Sequence, residues 1–426
     1  MTPEQNDLMC RVEGSAPMGR VMRQVWIPAC MSEEIAEPDG TPVRVRLLGE
    51  NMVAFRDTNG RVGVLDELCP HRRASLFFGR NEACGLRCLY HGWKFDVDGN
   101  AVDMASEPAG AKLRDSMRTR AYPVREAAGF VWVWMGDPAA PAPFTPPVWS
   151  AAPADRIAIV KMHAACNWAQ VLEGAIDSAH SSSLHSTNMP TAPEVSGSTA
   201  TESQWLRPSA DKSPRLQVER TPYGFRYAAI RTPIHDPAAQ DYIRTTLYIA
   251  PFTVMIPPTD RYKLIQMLVP IDDVNCMFYW IAWHETKGLS TEAWRRFCGA
   301  VPGEDIDPVT FRKVRHAGNN YMQDRAAMKA GDFTGISGIP TQDMAMWESM
   351  GPIADRSEDR LGSSDKAIFE FRKLALQMAR AAADGRVPEL PGFTAADAPS
   401  FEQLVPRTTD WRDVGKPAAR AEPVPA

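Results

Sequence analysis

The stretch "CPHRRASLFFGRNEACGLRCLYHGWKFD", Cys69 to Asp96, gathers three cysteines and two histidines into fewer than thirty residues. Cys69 and His71 form Cys-x-His, Cys88 and His91 form Cys-x-x-His, and sixteen residues separate His71 from Cys88. Each short loop offers one thiolate and one imidazole, so the two loops can close on one inorganic object. A single zinc ion would take all four as a tetrahedral set. A histidine-ligated [2Fe–2S] cluster would take both thiolates on one iron and both imidazoles on the other. Ligand count does not separate the two, but order does. Zinc fingers group their cysteines and their histidines, whereas here each loop runs Cys then His, which suits a two-iron object lying between loops. Cys84 has no histidine at a matching spacing and reads as a loop or core thiol.

Around this stretch the first third of the chain reads as strands and turns. "TPVRVRLLGENMVAFRDTNGRVGVLD" alternates apolar and polar residues, and "GFVWVWMG" has the β-branched and aromatic content of a strand. The proline-rich segment "DPAAPAPFTPPVWSAAPADR" argues against regular structure and marks a boundary near residue 150. Beyond it, "RLQVERTPYGFRYAAIRT", "DYIRTTLYIAPFTVMI", "YKLIQMLVPI" and "NCMFYWIAWHE" read as successive strands, with "PPTD" as a hairpin turn. "SSDKAIFEFRKLALQMARAAADG" carries Ile368, Phe371, Ala375 and Met378 on one helical face, with Ser-Ser-Asp and Gly385 as caps. The expected fold class is α+β: a β-rich unit over 1–150 (core about 25–136), a second unit over 151–412 with an antiparallel sheet and helices, and a tail over 413–426.

The chain has 426 residues and a net charge of −5, from 52 acidic and 47 basic residues, which disfavours a nucleic-acid partner. The opening residues lack the apolar core of a secretory signal, and no apolar run is long enough to span a bilayer, so a cytoplasmic protein is expected. Eight scattered cysteines do not read as a disulfide framework.

A second ligand set follows in "NWAQVLEGAIDSAHSSSLH". Asp177 and His180 are three residues apart, on one face of a helix. His180 and His185 are five apart, about 140° around an ideal helix, so they converge only if the helix ends or distorts near the serines. Two histidines and a distant carboxylate leave positions open on Fe(II), an arrangement suited to oxygen activation. By pattern alone that carboxylate is open between Asp324, Asp332, Asp343 and Asp355.

These two sets, in this order, resemble the large (α) subunits of the Rieske non-haem iron aromatic-ring-hydroxylating oxygenases, of the phthalate 4,5-dioxygenase type. The resemblance runs from "MGRVMRQVWIPAC" to "SEDRLGSSDKAI". It implies a Rieske [2Fe–2S] domain holding its cluster on Cys69, His71, Cys88 and His91, and a helix-grip-like catalytic domain. Asp343, in "GISGIPTQDMAMWESMGPI", then matches the family's Gln-Asp before a helix and joins His180 and His185 on a mononuclear iron. Asp177 becomes the carboxylate that bridges a cluster histidine of one subunit to an iron histidine of the next. A homotrimer, or stacked trimers, follows from that role. Arg73 stands where the family often has glycine, with an effect expected on surface charge.

The implied reaction adds both atoms of O2 to adjacent carbons of phthalate or a similar aromatic carboxylate; the alternative is O-demethylation or monooxygenation of a methoxylated or chlorinated aromatic acid. The chain has no dinucleotide fingerprint, so NADH would act only through a separate FMN/[2Fe–2S] reductase. A buried dianion calls for arginine. Arg207 and Arg244 are the candidates for substrate binding, with Arg231 and Arg215 as competitors. Ser178 and Ser182 flank the iron histidines, and Val171, Leu172 and Ile176 are candidates for the ring pocket.

Overall fold

The computed structural model describes residues 1–108, 112–192, 205–257, 262–386, 390 and 400–414. The alternating stretch builds an antiparallel sheet from Val43–Leu47, Glu50–Arg56 and Val62–Asp66. The cysteine-histidine stretch builds a second, from Arg80–Glu82, Gly85–Arg87, Trp93–Phe95 and Ala101–Met104. Val53, Phe55, Leu65, Leu86 and Phe95 close a small core between them, and Cys69 and Cys88 are embedded in it.

A third sheet joins Trp26–Met31, Phe130–Trp134 and Val124–Ala127. Every residue of Phe130–Trp134 is buried, because this strand faces the second half of the chain, where the Phe130 ring meets Tyr279 edge-on at 5.2 Å. Residues 1–150 therefore do not share one core. Met9, Val21, Ile27, Val131 and Trp149 belong to the same apolar cluster as Val160, Leu268 and Trp283 of the large sheet. Two helices that the hydrophobic pattern does not announce, Pro3–Cys10 and Pro17–Met22, each start on a proline and pack on the Lys366–Ala383 helix. The proline-rich segment is not wholly irregular. Single 3-10 turns at Val148–Ala151 and Ala154–Arg156 each follow a proline whose fixed φ presets the turn, and they bury Trp149.

The large sheet is an antiparallel run in the order Ile157–Ala164, Asn275–Trp283, Lys263–Asp272, Thr253–Ile256, Gln240–Ile249, Gly224–Arg231 and Arg215–Thr221. Glu402–Pro406 fills the remaining edge of Gln240–Ile249, opposite residues 240–244. The "PPTD" turn lies largely outside the described residues, as does 415–426 of the expected tail. Residues 413 and 414 are not a tail, since Val414 packs with Trp411, Phe401 and Ile243. Helix Lys366–Ala383 buries Phe371, Ala375 and Met378 as its period requires and ends before Gly385 at φ +78°. Asp365 turns its carboxylate back to the Gly362 N–H rather than capping the helix. Among the described residues, no helix is long and apolar enough to cross a membrane.

Two helices carry the second ligand set. Trp168–Ala175 starts on Asn167, whose Oδ1 accepts from the Ala169 N–H at 3.0 Å. It stops before Asp177, earlier than the serines. The Asp177 carboxylate accepts the N–H groups of Ala179 (2.7 Å) and His180 (3.4 Å), which draws the backbone out of the helix; one 3-10 turn, His180–Ser182, follows. Asp343 lies inside the Ile339–Ser349 helix rather than before it. The two helices touch at Gly174, where a Cβ would lie 2.0 Å from Nε1 of the buried Trp347. Gly174→Ala should cost about 1–3 kcal/mol by overpacking and lower the mononuclear iron content, while the cluster's visible absorbance persists. Thermal melting and iron analysis test this; an unchanged melting temperature and iron count would show that the contact can relax.

Candidate metal centres

The two cysteine loops repeat one turn. Cys69 N–H donates to Ala74 O (2.9 Å) and Arg73 N–H to Cys69 O (2.9 Å); Cys88 N–H donates to Trp93 O (2.8 Å) and Gly92 N–H to Cys88 O (3.0 Å). The fourth residue after each cysteine is left-handed, with φ +62° at Arg73 and +75° at Gly92. The departure at Arg73 is thus a backbone matter as well as one of surface charge. A side chain in this region costs on the order of 1 kcal/mol, and the Arg73 guanidinium sits 3.8 Å from Asp66.

Both thiols are buried and both imidazoles are half-buried at the rim. Burial pushes the Cys69 thiol up to about 11, eased by the His71 and Arg72 N–H groups and reinforced by Cys88. Two adjacent buried thiols become thiolates only with cationic metal beside them. The His71 ring stacks on Trp93 at 4.3 Å and meets His91 at 4.4 Å. Thiols pair with thiol and ring with ring. Among the described residues, the four do not form a set whose ligand atoms lie within 4.8 Å of one another, as one tetrahedral ion requires. The pairing fits a two-iron cluster. Cys84 sits in the two-residue turn between Arg80–Glu82 and Gly85–Arg87, with φ +44° at Ala83 and +60° at Cys84.

His180, His185 and Asp343 do form such a compact set. The two Nε2 atoms are 3.1 Å apart, and Asp343 Oδ1 lies 3.0 Å from His185 Nε2 and 3.5 Å from His180 Nε2. Asp343 Oδ1 is buried without a hydrogen bond. Three potential ligand atoms converging on one point, one of them a carboxylate oxygen without a hydrogen bond, fit a metal ion. The competing carboxylates are occupied. Asp324 caps the Arg325–Lys329 helix, Asp332 Oδ1 accepts from the Thr334 and Gly335 N–H groups, and Asp355 Oδ1 holds Ser357.

His185 Nδ1 lies 2.7 Å from Gln342 Oε1, a contact that residue spacing does not signal. Asp177 Oδ2 lies 3.7 Å from His180 Nδ1, longer than a hydrogen bond, and that nitrogen has no partner. Burial acts to raise the Asp177 carboxyl, but His180 and the Ala179 N–H outweigh it and hold it below the ordinary value.

A narrow cavity of about 80 Å³ runs from the three ligands to Arg244, past Ser178, Trp205, Gln266 and Trp280. That is smaller than the roughly 150 Å³ that holds a benzene ring, so an aromatic ligand must displace side chains. Arg244 reaches this wall, but Arg207 stands behind it. The Arg207 fork donates to Ser182 Oγ and Ser181 Oγ, each at 2.8 Å. Arg231 is buried beside it and donates to Ser178 O at 2.7 Å. Ser182 is thus an acceptor for Arg207 and Arg231 rather than a wall residue. Arg215 is exposed and paired with Asp241. Val171, Leu172 and Ile176 are core residues and do not line the cavity.

Arg244 Nε is 3.5 Å from Glu402 Oε2, and Tyr242 donates to the other Glu402 oxygen. Among the described residues no carboxylate lies within 4.0 Å of Arg207 or Arg231. Burial, with Arg244 and Arg231 nearby, pushes Arg207 down to about 9, so it stays charged at neutral pH. Buried atoms without a hydrogen bond gather here: Trp205 Nε1, Trp280 Nε1, Gln266 Oε1 and the Nε atoms of Arg207 and Arg231. Such groups are costly unless a ligand meets them. In sequence, Gln266 and Trp280 look like ordinary strand residues, and nothing in the spacing singles out Trp205 or Glu402.

The chain matches the Rieske [2Fe-2S] domain family over residues 25–122 and the "LigXa C-terminal domain like" family over residues 133–425. It is 54% identical to the phthalate 4,5-dioxygenase oxygenase subunit of Pseudomonas putida, over 97% of this chain and 94% of that protein. It is 36% identical to the 3-chlorobenzoate-3,4-dioxygenase oxygenase subunit of Comamonas testosteroni, over 96% of each. Its fold is similar to the terminal oxygenase of carbazole 1,9a-dioxygenase from Nocardioides aromaticivorans IC177, with a TM-score of 0.57 at 18% identity, covering 89% of this chain and 98% of that one.

Cys84→Ser should leave the visible absorbance of the cluster intact, and Cys88→Ser should abolish it. Equal spectra for the two variants would overturn the ligand assignment.

Proposed function

Because the chain belongs to the large subunits of the Rieske non-haem iron aromatic-ring-hydroxylating oxygenases, we propose that it cis-dihydroxylates phthalate or a closely similar aromatic dicarboxylate. Membership makes it the terminal oxygenase of a multi-component system that receives electrons from a reductase or ferredoxin partner. Its cofactors are a Rieske [2Fe–2S] cluster and a mononuclear iron. In the proposed assignment Cys69, His71, Cys88 and His91 hold the first, within a domain spanning 1–150, and His180, His185 and Asp343 hold the second, within 151–412. Bound there, the cluster would supply single electrons and the iron would supply the centre at which dioxygen is activated. The overall change consumes substrate, O2, NADH and a proton and yields a cis-dihydrodiol and NAD⁺; the proposed NADH oxidant is a separate FMN/[2Fe–2S] reductase.

One observation carries the dicarboxylate reading. Three buried guanidiniums stand at one end of the cavity with Glu402 as their contacting carboxylate among the described residues. Two positive charges are left over, and burying charge is unfavourable without a counter-charge. A dianion supplies both. In this reading Arg244 meets a carboxylate directly, and Arg207, through Ser181 and Ser182, adds positive potential behind it. Trp205 and Trp280 offer neutral N–H donors.

The proposed assembly is a homotrimer in which each cluster sits beside a neighbour's iron. Two apolar faces support it. Leu89 and Tyr90 are exposed beside the cluster histidine His91, whose ring meets Tyr90 at 3.9 Å. Phe333, Met346, Met350 and Leu361 are exposed around an open hollow of about 500 Å³ that reaches Asp177, His180 and Asp343. Head-to-tail contact of such unlike faces closes into a ring, and Asp177 would then bridge the two centres.

Product analysis with phthalate and a competent reductase tests the reaction. A cis-dihydrodiol is expected; release of formaldehyde from a methoxylated acid, with phthalate untouched, would favour the demethylase alternative instead. Arg244→Gln should raise KM for dicarboxylates by about 30-fold or more, equivalent to roughly 2 kcal/mol, and affect monocarboxylates far less. Equal losses for both classes would remove Arg244 from the carboxylate grip.

A further inference from the structure

We propose that Gln342 is a positioning residue that locks His185 in its Nδ1–H form, so that Nε2 is the bare nitrogen offered to the metal. This rests on the reading of His180, His185 and Asp343 as the ligand set. Gln342 and His185 are both almost wholly buried, and Gln342 Oε1 is 2.7 Å from His185 Nδ1. The direction of that bond is fixed by the other end of the amide. Gln342 Nε2 donates to Ile336 O at 2.8 Å, and its second proton is shared between Asn188 Oδ1 at 3.1 Å and Thr334 Oγ1 at 3.2 Å. A backbone carbonyl only accepts, so the NH2 must face Ile336 and the carbonyl oxygen must face His185. An imidazole meeting an acceptor at Nδ1 carries its proton there, and its Nε2 lone pair is free.

The acceptors around Nε2 are themselves held. Thr334 Oγ1 accepts the Ile336 N–H at 3.0 Å, and Asn188 N–H donates to His185 O at 2.9 Å. The loop is shaped by Gly335, at φ +63°, where a Cβ would lie 2.2 Å from Asp324 O. Rotating the Gln342 amide would therefore break bonds at both ends. Gln342 also precedes Asp343 in the same helix, so one residue orients a ligand across space and fixes the start of another along the chain. The two histidines are treated differently. His185 is set by a neutral amide within its own chain, whereas His180 faces a carboxylate at 3.7 Å and has no bond at Nδ1. A neutral acceptor fixes the tautomer without adding charge beside the metal, which a carboxylate would do.

The test uses the full-length oxygenase with its cluster intact and its mononuclear metal removed, titrated with Co²⁺ by equilibrium dialysis. Gln342→Leu removes the acceptor and should weaken Co²⁺ binding by about 10- to 100-fold. Gln342→Glu keeps an acceptor at Nδ1 but cannot donate to Ile336 O, so it should bind Co²⁺ at least as tightly as the wild type. Both variants should melt at lower temperature, because both lose the scaffold bonds. A merely structural role predicts instead that affinity falls in both, in step with melting temperature, and that result overturns the proposal. Should Gln342→Leu not accumulate as folded protein, the Glu variant decides alone: a loss of about tenfold or more there overturns it. His185→Ala is the separate control on the ligand set. Undiminished Co²⁺ binding in that variant would sink the ligand assignment, whereas its loss alongside a fully binding Gln342→Leu would sink only the role of Gln342.

Discussion

Two imidazole nitrogens 3.1 Å apart, with a carboxylate oxygen 3.0 Å from one of them, place three potential metal-ligand atoms within reach of one ion. When both nitrogens are deprotonated, as metal ligation requires, they repel one another and the carboxylate, and burial removes the water that would separate them. The surrounding structure acts to hold this arrangement. Gly174 lets two helices meet against Trp347, Asp177 ends one helix so that His180 and His185 can turn inward, and the Thr334–Ile336 loop receives the Gln342 amide. A divalent cation turns the repulsion into attraction, and the binding energy offsets the cost of assembling the site.

The same logic, with the opposite sign, applies at the far end of the cavity. Among the described residues, Arg207, Arg231 and Arg244 are brought together against one contacting carboxylate, and hydroxyl and carbonyl oxygens of Ser178, Ser181 and Ser182 receive two of the forks. Those serines lie in the segment that carries His180. The arginine cluster and the candidate metal ligands are therefore mechanically one unit, and a ligand bridging them would meet charge at one end and the proposed iron site at the other. The small volume of the cavity and its concentration of unpartnered donors suit a site completed by its ligand.

The cluster loops follow a different principle. Each is a short turn closed by its own backbone bonds, so the ligand geometry is largely local, and the surrounding core only seals the thiols from water. That locality explains how Cys-x-His and Cys-x-x-His, with a fixed gap, could be read from sequence. It also explains why Cys84, only four residues from Cys88, is excluded: it belongs to a hairpin tip with its own backbone requirement.

The strands of the large sheet, the amphipathic helix at 366–383 and both histidine sets were legible from the sequence, because each depends on spacing within one segment. Alternation fixes which strand face is buried, and a ligand pair within a few residues needs only one turn to converge. The placement of Asp343 inside its helix and the fusion of the first strands and Trp149 into the core of the second half were decided by tertiary structure. So were Gln342 behind His185, and Glu402, Trp205, Gln266 and Trp280 around the cavity. These residues come from segments far apart in the chain, and their significance lies in what is missing next to them, a partner for a buried charge or a buried N–H. A sequence records which groups are present, but only the packed chain shows which of them water can no longer reach.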